Sequence, residues 1–138
     1  MSYWDTSAVV KLYVQEPDSA SFEKHILGSA SGPVSSRILL YEARATFQRK
    51  ESEGSVRAGA AQDLYDQLVK DVSAGEWRLI ELGADVEREY AQVLAPCYQQ
   101  TPPIPVRTLD ALHLASARVA GETELVATDR RMREAAKA

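Results

Sequence analysis

Apolar positions along the chain alternate between two spacings. Tyr3 and Trp4 form a brief apolar run, after which Val9, Leu12 and Tyr13 recur at helical intervals. A strand over 2–5 therefore passes into a helix over 6–15 that stops before Pro17. A second helix spans 18–28, opened by Asp18 or Ser19 and closed by Gly28. Turn residues in SGPVSSR lead to a short strand near 33–36, and a long helix over 37–53 ends at Gly54. Ser55 begins another helix that Gly75 ends, and EWRLIEL (76–82) alternates as a strand. Asp85 opens a helix reaching about 100. The Pro-rich TPPIPVR is a stiff loop of the kind that positions functional groups. Thr108 caps an almost wholly apolar helix closed by Gly121, ELVATD (124–129) is a strand, and RRMREAAKA is a last helix. Strands alternating with helices predict an α/β domain on a mainly parallel sheet. With no repeat or dividing linker, residues 1–138 are read as a single domain.

Composition narrows the class without naming a function. The 45% hydrophobic and 26% charged content is that of an ordinary globular chain of 138 residues. One cysteine, Cys97, excludes an intrachain disulfide framework and a zinc ribbon, and fits a reducing cytoplasm. No apolar run reaches membrane-spanning length, and the N-terminus enters a strand directly, so neither a membrane segment nor a signal peptide is expected. A net charge of −4 argues against a basic nucleic-acid coat protein. It leaves room for a nuclease, because acidic residues that hold cations lower the formal charge without repelling a bound substrate.

Most acidic residues fall on polar helix faces, where solvation explains them; four do not. Asp5 ends the first strand, where burying a carboxylate is costly. Glu42 lies in the stripe Ile38, Tyr41, Glu42, Ala45 and so points with apolar side chains. Asp110 sits in the first turn of the apolar helix, and Asp129 ends the strand LVAT as Asp5 ends the first. In an open parallel sheet the carboxyl ends of neighbouring strands form the binding crevice, where these four can converge. Converging carboxylates need cations, and hard oxygen donors without histidine or cysteine suit Mg²⁺ or Mn²⁺. The hydroxyls of Thr6, Ser7 and Thr128 stand beside them and can orient them. The chemistry favoured is attack by a metal-activated water on a phosphodiester.

These segments resemble a known family. YWDTSAVVKLY, the inward Glu of LLYEARATF, RTLDALHLASA and LVATDRRM look like the four successive motifs of PIN domains, and the size and third motif resemble the VapC-like toxins of bacterial type II toxin–antitoxin pairs. The resemblance covers essentially the whole chain. It implies a Rossmann-like three-layer α/β/α sandwich, Mg²⁺-dependent endoribonuclease activity, a homodimer, and a cognate VapB-like antitoxin occupying the active-site groove. By the motif match, Asp5, Glu42, Asp110 and Asp129 take the family's acidic positions, with Thr6, Ser7 and Thr128 beside them. Such domains usually finish with a short strand after the last helix, and this sequence stops at Ala138 without one, a departure that touches the sheet edge and not the site.

Plainer readings stand next to these. Asp5, Asp110 and Asp129 can serve as helix caps, although Thr6 and Ser7 can cap the first helix without burying a charge. Glu42 can be a salt-bridge partner of Arg44 or Arg107. His113 is read as a packing histidine in preference to a general base, His25 as surface and Cys97 as inert packing. Arg107 can reach a phosphate or form a structural ion pair, and Arg130, Arg131 and Arg133 can guide RNA or simply be solvated. Val9, Tyr13 and Phe22 are expected to offer apolar surface to an antitoxin. A receiver-type signalling domain would need adjacent acidic residues after the first strand and a late strand-end lysine, and neither is present. The remaining alternative is a PIN-like RNA- or partner-binding domain without catalysis, for which loss of one acidic residue would be the sign.

Overall fold

The computed structural model describes residues 2–28 and 32–138, except for the side chains of Arg130 and Arg131. Ser31, the first residue of the expected turn, lies outside them. The described strands are β1 (Tyr3–Trp4), β2 (Val34–Ser36), β3 (Arg78–Ile80) and β4 (Leu125–Val126). The described helices are α1 (Thr6–Tyr13), α2 (Ser19–Leu27), α3 (Leu39–Ser52), α4 (Ala60–Ser73), α5 (Ala84–Gln99), α6 (Thr108–Ala120) and α7 (Arg130–Lys137). All strand pairs are parallel, in the order β3-β2-β1-β4, with Tyr3 opposite both Val34 and Leu125.

Two cores form because successive strand side chains leave the sheet on opposite faces. Trp4, Leu79 and Val126 go to one side and pack with Ala8, Leu39, Phe47 and Leu68 from α1, α3 and α4. Ile80 and Leu125 go to the other, against Val86, Val93, Ala111, Ala115 and Met132 from α5, α6 and α7. Tyr3 joins this second side with Val34 and Ala117. The three-layer α/β/α sandwich follows from that alternation.

Several boundaries differ from the expected ones. The fourth helix starts at Ala60 and not at Ser55, because the backbone takes left-handed conformations at Gly54 (φ 79) and Gly59 (φ 86), which glycine alone adopts without strain. Glu51 Oε1 then accepts from the Ala61 amide at 2.9 Å and closes the new helix start. Thr108 is the first residue of α6 and not its cap; the N-cap is Arg107, with no side-chain capping bond. The ladder of β4 covers only Leu125–Val126, so Asp129 lies beyond the strand, and its carbonyl accepts from the Arg133 amide as α7 begins.

Candidate active site

β1 leads through the chain to β2 on one side, while β4 lies on its other side, so the β1–β4 junction is where strand order reverses. Crevices at such junctions, beyond the strands' carboxyl ends, are where open α/β sheets bind ligands. Asp5 emerges there: its amide donates to the Val126 carbonyl at 3.1 Å, and the residue is only 4% exposed. It is also the N-cap of α1, with Oδ1 accepting from the Ala8 amide at 3.1 Å. Thr6 and Ser7 therefore do not relieve it of capping, because both already lie inside the first helical turn. Ser7 Oγ instead donates to the Asp5 carboxylate at 2.9 Å and accepts from Thr128 Oγ1 at 2.7 Å, tying α1 to the β4 loop. Burial pushes the Asp5 carboxyl above its ordinary range, against the pull of the Ala8 amide.

Glu42 reaches the same crevice from α3, though not along the expected stripe. The buried line is Leu39, Ala43 and Phe47, whereas Tyr41 and Ala45 are exposed. Glu42, Thr46 and Lys50 form the next line round the helix, half-buried and facing the cleft. Glu42 Oε1 accepts from Thr6 Oγ1 at 2.7 Å and lies 2.6 Å from His113 Nε2. Burial raises the Glu42 carboxyl, but the hydrogen bonds from His113 and Thr6 and the Arg107 charge outweigh it, leaving it below its usual range. Arg44 is not its partner, since its guanidinium lies 4.5 Å from the centre of the Tyr65 ring. His113 is buried as expected, yet it is bonded to site residues and is more than packing.

Asp110 and Asp129 meet through Arg107. The guanidinium donates from Nε to Asp110 Oδ2 at 3.1 Å and from Nη2 to Asp129 Oδ2 at 3.2 Å, while its side chain stays 69% exposed. Arg107 is thus an ion-pair partner of both carboxylates. Arg133 is exposed and not among the described residues lining the cleft. The side chains of Arg130 and Arg131, expected near RNA, lie outside the described residues.

The cleft has a volume of about 400 Å³, and its far wall is one that pattern reading missed. Lys11 of α1 and Thr46, Arg49 and Lys50 of α3 line it with Glu16. Glu16 pairs with Lys11 and, at 2.6 Å, with Lys50. The available signal was spacing: Lys11 stands four residues after Ser7, and Thr46 and Lys50 stand four and eight after Glu42. Val9 is fully buried, and Tyr13 and Phe22 pack against the same core, so these positions are not the open apolar surface that was expected.

Among the described residues, no three His, Cys, Asp or Glu side chains already stand close enough to enclose a metal ion. The donor chemistry nevertheless fits a hard divalent cation: Asp5, Glu42, Asp110 and Asp129 edge one side of the cleft, with hydroxyls bracing Asp5 and Glu42 and an arginine between Asp110 and Asp129.

The chain belongs to the PIN domain family, whose pattern matches residues 2–138. Ribonuclease VapC46 of Mycobacterium tuberculosis is 34% identical over 142 residues, spanning 98% of this chain and 89% of that protein. Among solved structures, VapC20 of Mycobacterium tuberculosis, a sarcin–ricin loop cleaving toxin, superposes with a TM-score of 0.69 at 18% identity, covering 98% of this chain and 95% of that one. VapBC2 from Rickettsia felis, bound to a DNA fragment from its promoter, gives 0.67 at 18% identity over 97% and 92%. FitAcB from Neisseria gonorrhoeae gives 0.68 at 14% identity over 100% and 94%. At these identities the solved structures establish the shared fold. Among the described residues, no helix is long and apolar enough to cross a membrane.

Proposed function

We propose that this protein is a metal-dependent endoribonuclease, the toxin of a type II toxin–antitoxin pair, acting in the cytoplasm as a single-domain chain that forms a homodimer. The observation that carries the reading is the arrival of Asp5, Glu42, Asp110 and Asp129, from four separate segments, at one cleft on the sheet's switch point. These four carboxylates would hold Mg²⁺, with Mn²⁺ as substitute, and the bound ion would supply Lewis acidity for hydrolysis of an RNA phosphodiester. Thr6 fixes Glu42, and Ser7 with Thr128 fixes Asp5, so ligand oxygens keep their places when charge accumulates. Lys11, Arg49 and Lys50 on the opposite wall supply positive charge for the flanking backbone phosphates. Arg107 pairs with Asp110 and Asp129, and with a cation on those carboxylates its guanidinium would be available to a backbone phosphate. The regulator is a VapB-like antitoxin that enters the same groove.

The purified protein tests this directly. RNA cleavage stops with EDTA, returns with Mg²⁺ or Mn²⁺, and returns poorly with Ca²⁺, whose looser coordination places water less well. Undiminished cleavage in metal-free buffer overturns the mechanism, and RNA binding without any cleavage under all three ions favours a binding domain instead.

A further inference from the structure

His113 is 1% exposed at the floor of the cleft, and both of its ring nitrogens are engaged. Nδ1 lies 2.6 Å from the Tyr3 hydroxyl, and Nε2 lies 2.6 Å from Glu42 Oε1 with Thr6 Oγ1 at 3.2 Å. Tyr3 is fully buried on β1, and its ring meets the imidazole edge-on with centroids 5.8 Å apart. A carboxylate oxygen only accepts, so Nε2, facing Glu42 Oε1, carries the ring proton, and in the neutral imidazole Nδ1 is left to accept from the Tyr3 hydroxyl. Thr6 donates to the same oxygen. Two fixed donors thus meet on Oε1 of Glu42, and no described neighbour is found hydrogen-bonded to Oε2.

We propose that Tyr3 and His113 form a positioning relay: the phenol locks His113 as the Nε2–H tautomer, and His113 with Thr6 ties one oxygen of Glu42 so that the other is presented to the divalent cation. This rests on Glu42 being a metal ligand. Carboxylates that bind metals are commonly held by such outer partners, and loss of one weakens metal binding by about 10–100-fold. The relay begins at β1 and passes through α6 to α3, so it couples the sheet to the proposed cation site.

Nitrogen-15 spectra of the His113 side chain read the tautomer in the metal-free protein. Protonated Nε2 with bare Nδ1 is the expected result, and a protonated Nδ1 overturns the relay. Tyr3→Phe keeps the ring in the core and removes only the hydroxyl; calorimetry should show Mg²⁺ bound about tenfold more weakly. His113→Gln, which returns an amide donor near the Nε2 position, should recover much of the affinity that His113→Ala loses. If Glu42→Gln weakens Mg²⁺ binding but Tyr3→Phe does not, Glu42 remains a ligand and the relay is wrong. If Glu42→Gln leaves Mg²⁺ binding unchanged, the ligand assignment itself fails, and the relay with it.

Discussion

Arg107 donates from Nε to Oδ2 of Asp110 at 3.1 Å, across the first turn of the helix that presents both. The same guanidinium reaches Asp129, so the metal-free protein carries its own cation between two proposed ligands. A metal ion and Arg107 then compete for those carboxylates. Exposed ion pairs of this kind are worth up to about 1 kcal/mol, or about fivefold in an equilibrium constant. Arg107→Gln should tighten Mg²⁺ binding about two- to fivefold in calorimetry while raising the KM for RNA. Unchanged or weaker Mg²⁺ binding would show that the guanidinium does not occupy the cation's place.

Asp5 caps α1, and under the proposed function it also serves the cation, so substitution can separate the two. Asp5→Asn keeps an acceptor for the Ala8 amide and removes the charge, so the fold persists and cleavage falls by about a hundredfold or more. Asp5→Ala removes the cap as well and costs about 1 kcal/mol, a drop of several degrees in Tm. Asp110 caps nothing through its side chain, so Asp110→Asn should abolish cleavage with Tm held or raised as repulsion in the cleft relaxes. Full activity in a folded Asp110→Asn protein would remove Asp110 from the site.

Asp5 and Asp110 stood out because each interrupts an apolar context, Asp5 after Tyr3 and Trp4 and Asp110 among Leu109, Ala111 and Leu112, whereas the stripe that singled out Glu42 does not hold, since Tyr41 and Ala45 are exposed. Parallel pairing was equally plain from the alternation of strands and helices. What escaped was set by tertiary placement. Lys11 and Lys50 are unremarkable helix lysines until α1 and α3 pack and Glu16 bridges them. His113 looked apolar by its neighbours, and only β1 lying beneath α6 brings Tyr3 to its ring. The strands were overestimated in length because alternation persists beyond the few residues that pair, as at 127–129. The late start of α4 reflects two glycines whose left-handed backbone no hydrophobic pattern reports.

Glu16 offers a pH-dependent test of how the far wall is held. The hydrogen bond from Lys11, then that from Lys50, holds its carboxyl below the ordinary value of 4.5. The folded state therefore binds the proton less tightly than the unfolded chain. The stabilisation is complete above the ordinary value and disappears as pH falls through the depressed one. Being partly exposed, the pairs contribute about 1 kcal/mol or less. Urea unfolding should find Glu16→Gln less stable than the parent at pH 7, with the gap closing as pH falls below 4.5 through the depressed value, and narrowing in high salt. A gap that does not shrink as the solution is acidified would assign the loss to packing.

Inhibition by the antitoxin should follow from the same charge layout. The cleft sets Asp5, Glu42, Asp110 and Asp129 at one wall and Lys11, Arg49 and Lys50 with Glu16 at the other, and Arg107 is bonded to Asp110 and Asp129. An antitoxin segment carrying an arginine can replace Arg107 on those oxygens with bidentate contacts and displace the cation. Its apolar residues must seek surface other than Val9, which is buried. Excess Mg²⁺ should therefore partly relieve inhibition, and changing the inserted arginine to alanine should weaken it. In calorimetry the complex should take up Mg²⁺ far more weakly than the free protein. An antitoxin that binds tightly yet leaves Mg²⁺ affinity unchanged would place its inhibitory contact outside the carboxylate cleft.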